Sequence, residues 1–279
     1  MMYLILAILS SAGVSLVMRL SVDRIKNNIT MLAAGYLSCT LLALLHTLIS
    51  GNIRLSGEGF PLTAVLGGAA GILLLAGFVF LQLNVKINGV VLSGVFAKLG
   101  VLVPTLLSVL IFKEKPKILQ IIGFALAIAA IILINSEHDE KKAGSKTALI
   151  LLLLSNGLAD SMSKVYEEVG CEDLQDVYLL ISFFSAFILC IILLLCKKQS
   201  VTPADVGYGL LLGVPNYYSA RFLIKALATV PAVAAYPTYS VATIVVITVA
   251  GVLLFHEKLT KRQIIGMAVI AAALVLLNL

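Results

Sequence analysis

Two kinds of residue in this chain could do chemistry: ionisable side chains set inside long apolar runs, and stripes of hydroxyl and amide groups at helical spacing. Lys98 is the clearest of the first kind. It lies about two residues from the middle of the apolar run 88–111, or about 3 Å at the rise of an α-helix. From that depth a lysine stem reaches an interface poorly. Its ammonium either meets an anionic group of a bound solute or pairs internally with an acid such as Asp160. Asp160 shares a helical face with Asn156 and Ser163, and Lys164 follows it at i+4. That spacing allows an ion pair within the helix or, at greater cost, a proton or amine site inside the membrane.

Two further stripes stand beside these. Tyr218, Arg221 and Lys225 follow i, i+3, i+7, with Asn216 and Tyr217 next to Pro215. Arg221 is deep enough to need a partner or a cavity, whereas Lys225 lies near the end of its run and snorkels. Tyr236, Tyr239, Ser240 and Thr243 follow i, i+3, i+4, i+7. Pro231 opens that run, and Pro237 should kink it and free carbonyls that must face protein or water. Ser and Thr in such a stripe serve helix packing; two tyrosines on the same stripe favour a pocket wall.

Other chemistries lack their residues. No Gly-x-x-x-x-Gly-Lys-Ser/Thr loop is present, so ATP would have to be used by another subunit. His46, His138 and His256 are scattered, and Cys39, Cys171, Cys190 and Cys196 show no metal or disulfide spacing. The expectation is no cofactor, no metal and no enzyme. A channel should show a wetter, more continuous polar lining, and a scaffold has no use for a lysine at mid-membrane.

The elements that must position these groups follow from composition. Of 279 residues, 61% are hydrophobic and 12% charged, with mean hydropathy +1.09; soluble domains are about half apolar and a quarter charged. The excess must face lipid. Ten runs are long enough to cross an apolar layer of ~30 Å: roughly 2–20, 30–50, 61–83, 88–111, 118–135, 146–165, 176–196, 205–226, 231–255 and 262–279. The net charge of +6 sits mostly in short loops, where it sets topology and meets anionic headgroups, not nucleic acid.

A repeat is visible in the non-aliphatic residues. At a constant offset of 143, Phe112/Phe255, Glu114/Glu257, Lys115/Lys258, Gln120/Gln263, Gly123/Gly266 and Asn135/Asn278 coincide without a gap. The offset extends backwards over the helices around 67–111 and 210–254, and an offset of 145 aligns Ser11 with Asn156 and Ser15 with Asp160. The polar stretch 136–147 divides the chain into a first five-helix repeat, 1–135, and a second, 148–279. Five spans per unit is an odd number, so the second copy enters from the opposite side. Inverted repeats place a site near the midplane, as alternating access requires.

Ten helices, two five-helix repeats and a Phe-x-Glu-Lys … Gln-x-x-Gly turn (Phe112, Glu114, Gln120, Gly123; Phe255, Glu257, Gln263, Gly266) resemble the drug/metabolite transporter superfamily, EamA type, over essentially the whole chain. The resemblance implies an all-α integral membrane fold and makes those eight residues structural. It implies a central site lined by the fourth and ninth helices, which carry Lys98 and the tyrosine stripe. The residues themselves suggest that Glu114 and Glu257 neutralise neighbouring lysines and cap a helix start.

The expected function is a secondary transporter in the plasma membrane (bacterial inner membrane). It would move a small anionic or zwitterionic metabolite, such as an amino acid or organic acid, as an exporter or exchanger. The alternative is efflux of cationic or multidrug solutes using Asp160. The expected partners are the solute, the bilayer and a proton or counter-substrate, and the protein would be a monomer or homodimer. Loops after the odd-numbered spans hold twelve Lys and Arg against six on the other side. That bias favours both termini outside, whereas the resemblance implies both cytoplasmic. The breaks in the repeat, Lys98 against Val241 and Arg221 against Phe78, are where solute selection is expected.

Overall fold

The computed structural model describes residues 1–51, 57, 59–88, 90–135, 145–197, 201–255 and 261–279. Among them it is all-helical: α1 (Met2–Ser21), α2 (Asn28–Ser50), α3 (Phe60–Asn88), α4 (Val90–Leu99), α5 (Leu102–Leu110), α6 (Ile118–Asn135), α7 (Lys146–Val169), α8 (Gln175–Lys197), α9 (Pro203–Leu227), α10 (Ala232–Phe255) and α11 (Lys261–Leu277). Among the described residues six helices are long and apolar enough to cross a membrane, and three shorter apolar stretches, Phe96–Leu110, Ile118–Leu133 and Gln263–Leu277, add to them. Outward side chains such as Ile49, Leu110, Ile118, Leu195 and Leu253 are at least 70% exposed. That apolar surface has no reason to exist except against lipid. Most of the linker 136–147, and with it His138, lies outside the described residues, as do His256, Glu257 and Lys258.

The fold corrects one expectation. The run 88–111 is not one helix: it breaks at Gly100–Val101 between α4 and α5. Pro104 has no N–H to give the Gly100 carbonyl four residues back, and Val103 N donates to it instead at 2.9 Å. The Ala97 and Lys98 carbonyls likewise accept from Gly100 N at 3.3 Å and Val101 N at 3.4 Å, so three i+3 bonds replace a turn of α-helix. The break lies where this span crosses α7. A side-chain carbon placed at Gly100 would stand 3.1 Å from the Gly157 amide nitrogen, so both glycines are needed for the backbones to meet. The repeat-related α10 runs unbroken through Pro237.

Helix starts are well capped. Asn27 accepts from Ile29 N and Thr30 N, Ser145 caps α7, and Thr202 and Asp205 form a reciprocal capping box on α9. Asp205 also accepts from Lys26 N at 2.8 Å and Asn27 N at 3.3 Å, joining the α1–α2 loop to α9. At the end of α3, Asn84 donates to Ala148 O and Asn88 accepts from Ser145 N, which fastens α3 to α7.

The most extensive packing joins one half of the chain to the other. α2 packs on α8 and α9, α3 on α7 and α8, α1 on α9 and α10, and α6 on α11. Small residues allow it: a carbon added at Gly71 would meet Ser182 O at 2.6 Å, so α3 and α8 approach backbone to backbone. Two larger apolar cores result, with a smaller cluster of Leu4, Ile8 and Ala226 beside them. One joins Val101, Ala127, Ile131 and Leu223 with Tyr236, Val241, Ile270 and Ala273; the other joins Tyr36, Cys39, Ala43 and Ala70 with Tyr178, Phe183, Cys190 and Tyr217.

Candidate functional site

Where α1, α4, α7 and α10 converge they leave a polar cavity of about 150 Å³, lined by Ser11, Ala97, Lys98, Asp160, Tyr239, Ser240 and Thr243. A second space of about 120 Å³ adjoins it, with Asp160, Ser163, Asn216, Ser219 and Tyr239 among its walls. Asp160 and Tyr239 line both, so the two spaces meet at shared walls. Its size suits a small solute; sites for drug-sized ligands run to ~300 Å³ or more.

Each wall has its local reason. Lys98 stands in the last turn of α4, just before the break that ends that helix. Asp160, on α7 one turn before the buried Lys164, is exposed and lines the cavity, so the surface it exposes is cavity surface. The Tyr239 hydroxyl is 2.7 Å from that of Ser219, which ties α10 to α9. Thr243 is buried and bonds back to the Tyr239 carbonyl at 2.7 Å.

The ionic arrangement differs from the intrahelical pairing open to Asp160 in the sequence. Lys164, 4% exposed, is not its partner. Its ammonium sits among three other carboxylates, 3.3 Å from Glu114, 2.8 Å from Glu167 and 2.6 Å from Glu168, and 5.7 Å from the centre of the Phe112 ring. Asp160 and Lys98 are left as opposite charges on one cavity wall. Among the described residues neither side chain has a hydrogen bond or an ion pair.

Arg221 does not line this cavity. It is paired with Asp176 at the start of α8, and donates to the Tyr217 hydroxyl at 2.6 Å. Asp176 also accepts from Ser50 at the end of α2, at 2.9 Å. His46 stacks on Tyr217 with centroids 5.6 Å apart and meets Tyr218 edge-on, so it is packed into an aromatic cluster and does not merely border the interface. Tyr236 is likewise a strut: fully buried, it donates to the Asp160 carbonyl at 2.9 Å. Asn156 packs between Gly77 and Gly100. Asn216 does line the cavity, with its amide 3.7 Å from the Cys39 sulfur.

The structure therefore brings together Lys98, Asp160, Asn216, Tyr239, Ser240 and Thr243, and places Arg221, Tyr217, Tyr218, Tyr236 and Asn156 elsewhere. It adds Ser11 and Ser219 as walls. Ser219 stands one turn after Asn216, a spacing that could have pointed to it.

The turn motif is structural and reaches across the molecule. Both Glu114 carboxylate oxygens accept from the first amides of α10, Ala232 N at 3.0 Å and Val233 N at 2.9 Å. The helix it caps is thus in the other half, and the lysine it neutralises is Lys164, not Lys115. Gln120 accepts from Lys117 N at 3.0 Å. Gly123 lets α6 approach α11, since an added carbon would be 3.0 Å from Leu276 Cβ. Of the second copy, Gln263 opens α11 and Gly266 is buried on it, while Glu257 and the Phe255 side chain lie outside the described residues.

Comparison with known proteins agrees with this architecture. An uncharacterized protein of Haemophilus influenzae is 26% identical over 280 residues, spanning 94% of this chain and 92% of its own. A crystal structure with 15% identity superposes with a TM-score of 0.75 over 99% of this chain and 94% of its own, a likeness of fold alone. The sequence model of the EamA-like transporter family matches twice, over residues 1–136 and 148–279. With the family model covering nearly the whole chain, this multi-pass membrane protein belongs to the EamA-like transporter family.

Proposed function

We infer that the protein is a secondary active transporter of the bacterial inner membrane, exporting or exchanging a small zwitterionic metabolite of the amino-acid type by alternating access. One observation carries the reading: Lys98 and Asp160 line one small cavity, and among the described residues neither has a hydrogen bond or a salt bridge. Charges held deep in a membrane protein without direct bonds are costly, and a solute with groups of both signs would complete them. A carboxylate would meet Lys98 with Ser11 and Ser240 beside it, and an ammonium would meet Asp160 in the space shared with Asn216. With Arg221 engaged by Asp176, the cavity holds one cation and one acid, which favours a zwitterion over a simple anion. Asp160 is also the group to take a proton or the amine of a counter-substrate.

The test is counterflow in proteoliposomes with a panel of radiolabelled amino acids and organic acids. Saturable exchange of at least one zwitterion, lost in Lys98→Gln and in Asp160→Asn with expression retained, is the expected result. Wild-type flux in Lys98→Gln would sink the assignment. The unpaired Asp160 also permits efflux of organic cations; that reading predicts a drug-efflux phenotype that Lys98→Gln leaves intact.

A further inference from the structure

Two larger pockets lie outside the central cavity, and the first helix threads all three. Tyr3 lines a pocket of about 380 Å³ between α7, α8 and α9. Ser11 lines the central cavity, and Met18 lines a pocket of about 530 Å³ between α1, α2 and α3. Along α1 those residues are spaced about 12 Å and about 10 Å apart, so the outer pockets stand at opposite ends of the bundle with the cavity midway.

The outer pockets are also repeat-related. At the offset of 143, Leu81, Gln82, Val85 and Lys86 of α3 correspond to Ile224 and Lys225 of α9 and to Ala228 and Thr229 in the turn after it, and all eight are wall residues of their respective pockets. Two spaces made by the same part of the fold, one at each end, are what the two mouths of a path through an inverted repeat should look like.

Their charges differ. The α1–α2–α3 pocket carries Lys26 and Lys86 with Asn28 and Gln82, and no carboxylate among its described walls. The nearby Asp205 already accepts from the amides of Lys26, Asn27 and Thr202. The opposite pocket sets Glu167 and Glu172 against Lys225, whose ammonium rests 5.6 Å over the Tyr3 ring. A cleft lined by one sign of charge concentrates the opposite sign.

We propose that the α1–α2–α3 pocket is an oxyanion-capturing mouth of the transport path, holding a carboxylate or phosphate group through Lys26 and Lys86, and that the α7–α8–α9 pocket is its counterpart on the other side. The proposal rests on the transporter reading, but its test requires no known solute. In a chain whose exposed cysteines, Cys171 and Cys196, are replaced by serine, Val85→Cys and Ala228→Cys place one thiol in each pocket at repeat-related positions. Both are reacted with impermeant methanethiosulfonates bearing either a sulfonate or a trimethylammonium group, in sealed vesicles of each orientation.

The expected result is labelling from opposite sides. Val85→Cys should favour the sulfonate reagent, relative to free cysteine, by on the order of tenfold. Lys26→Gln with Lys86→Gln should remove that preference, and Ala228→Cys should lack it. Labelling from the same side, equal charge preference at both positions, or a preference that survives loss of both lysines overturns the proposal. If Val85→Cys does not fold, Leu81→Cys, read against the same Ala228→Cys, reports on the same wall. Vesicles of phosphatidylcholine with and without phosphatidylglycerol identify the source of the oxyanion. Suppression of the preference by phosphatidylglycerol assigns the site to a lipid headgroup; an unchanged preference assigns it to the solute. Counterflow that fails while this pattern holds would refute the transported class and leave the mouths standing.

Discussion

Lys98 on α4 and Asp160 on α7 line one cavity without a bond between them or to any other described side chain. A buried ion pair that closes on itself is complete; this one is open. The gap between the charges is the feature that asks for a ligand. Removing either charge should cost the solute a charge-assisted hydrogen bond, worth about 1.5–3 kcal/mol, or about ten- to a hundredfold in apparent affinity. Counterflow saturation curves for Lys98→Gln and Asp160→Asn check this. Unaltered half-saturation in both would remove the pair from the site.

Glu114 holds two halves of the chain together, capping α10 and pairing with Lys164. Glu114→Gln keeps the shape and loses the charge, and should destabilise the protein by about 1–2 kcal/mol, as loss of a helix cap does. Lys164→Met should cost more, because it leaves three partly exposed carboxylates facing one another without their cation. Thermal unfolding in detergent measures both, and the order Lys164→Met below Glu114→Gln below wild type is the result to look for.

Arg221 pairs with Asp176, so its loss should read out as instability before it reads out as altered selectivity. Arg221→Gln and Asp176→Asn are each expected to lower the midpoint of unfolding, and the double variant to lose less than the sum of the two. A variant Arg221→Gln of normal stability with changed solute preference would return this residue to the binding site.

The Tyr239–Ser219 contact, at 2.7 Å, joins two helices at the cavity. Hydrogen bonds between membrane helices average about 0.6 kcal/mol. Tyr239→Phe and Ser219→Ala should therefore be mild in stability and couple by about that amount in a double-mutant cycle. A larger effect of Tyr239→Phe on half-saturation than on unfolding would mark the hydroxyl as a solute contact.

The helices were legible because an apolar run of about 20 residues has few fates, and the motif because polar matches stand out against an aliphatic background. The partners were harder. Spacing placed Asp160 and Lys164 one turn apart, and nothing local in the sequence could say that Glu114, fifty residues earlier, would take the lysine. Arg221 looked like a cavity wall for the same reason: the cost of burying it was readable, but its partner Asp176 sits on another helix. The break in the fourth span did have a local signal, Gly100 four residues before Pro104. Each alone is common in membrane helices; together they deny one carbonyl its usual donor.

That break has a mechanical consequence. α10 stays helical from Ala232 to Phe255 across Pro237, so its two ends belong to one element. The repeat-related span is jointed at Gly100, and a rotation of α4 need not drag α5 with it. The two halves share a pattern but not a continuity, and Lys98 rides on the short arm, beside the joint.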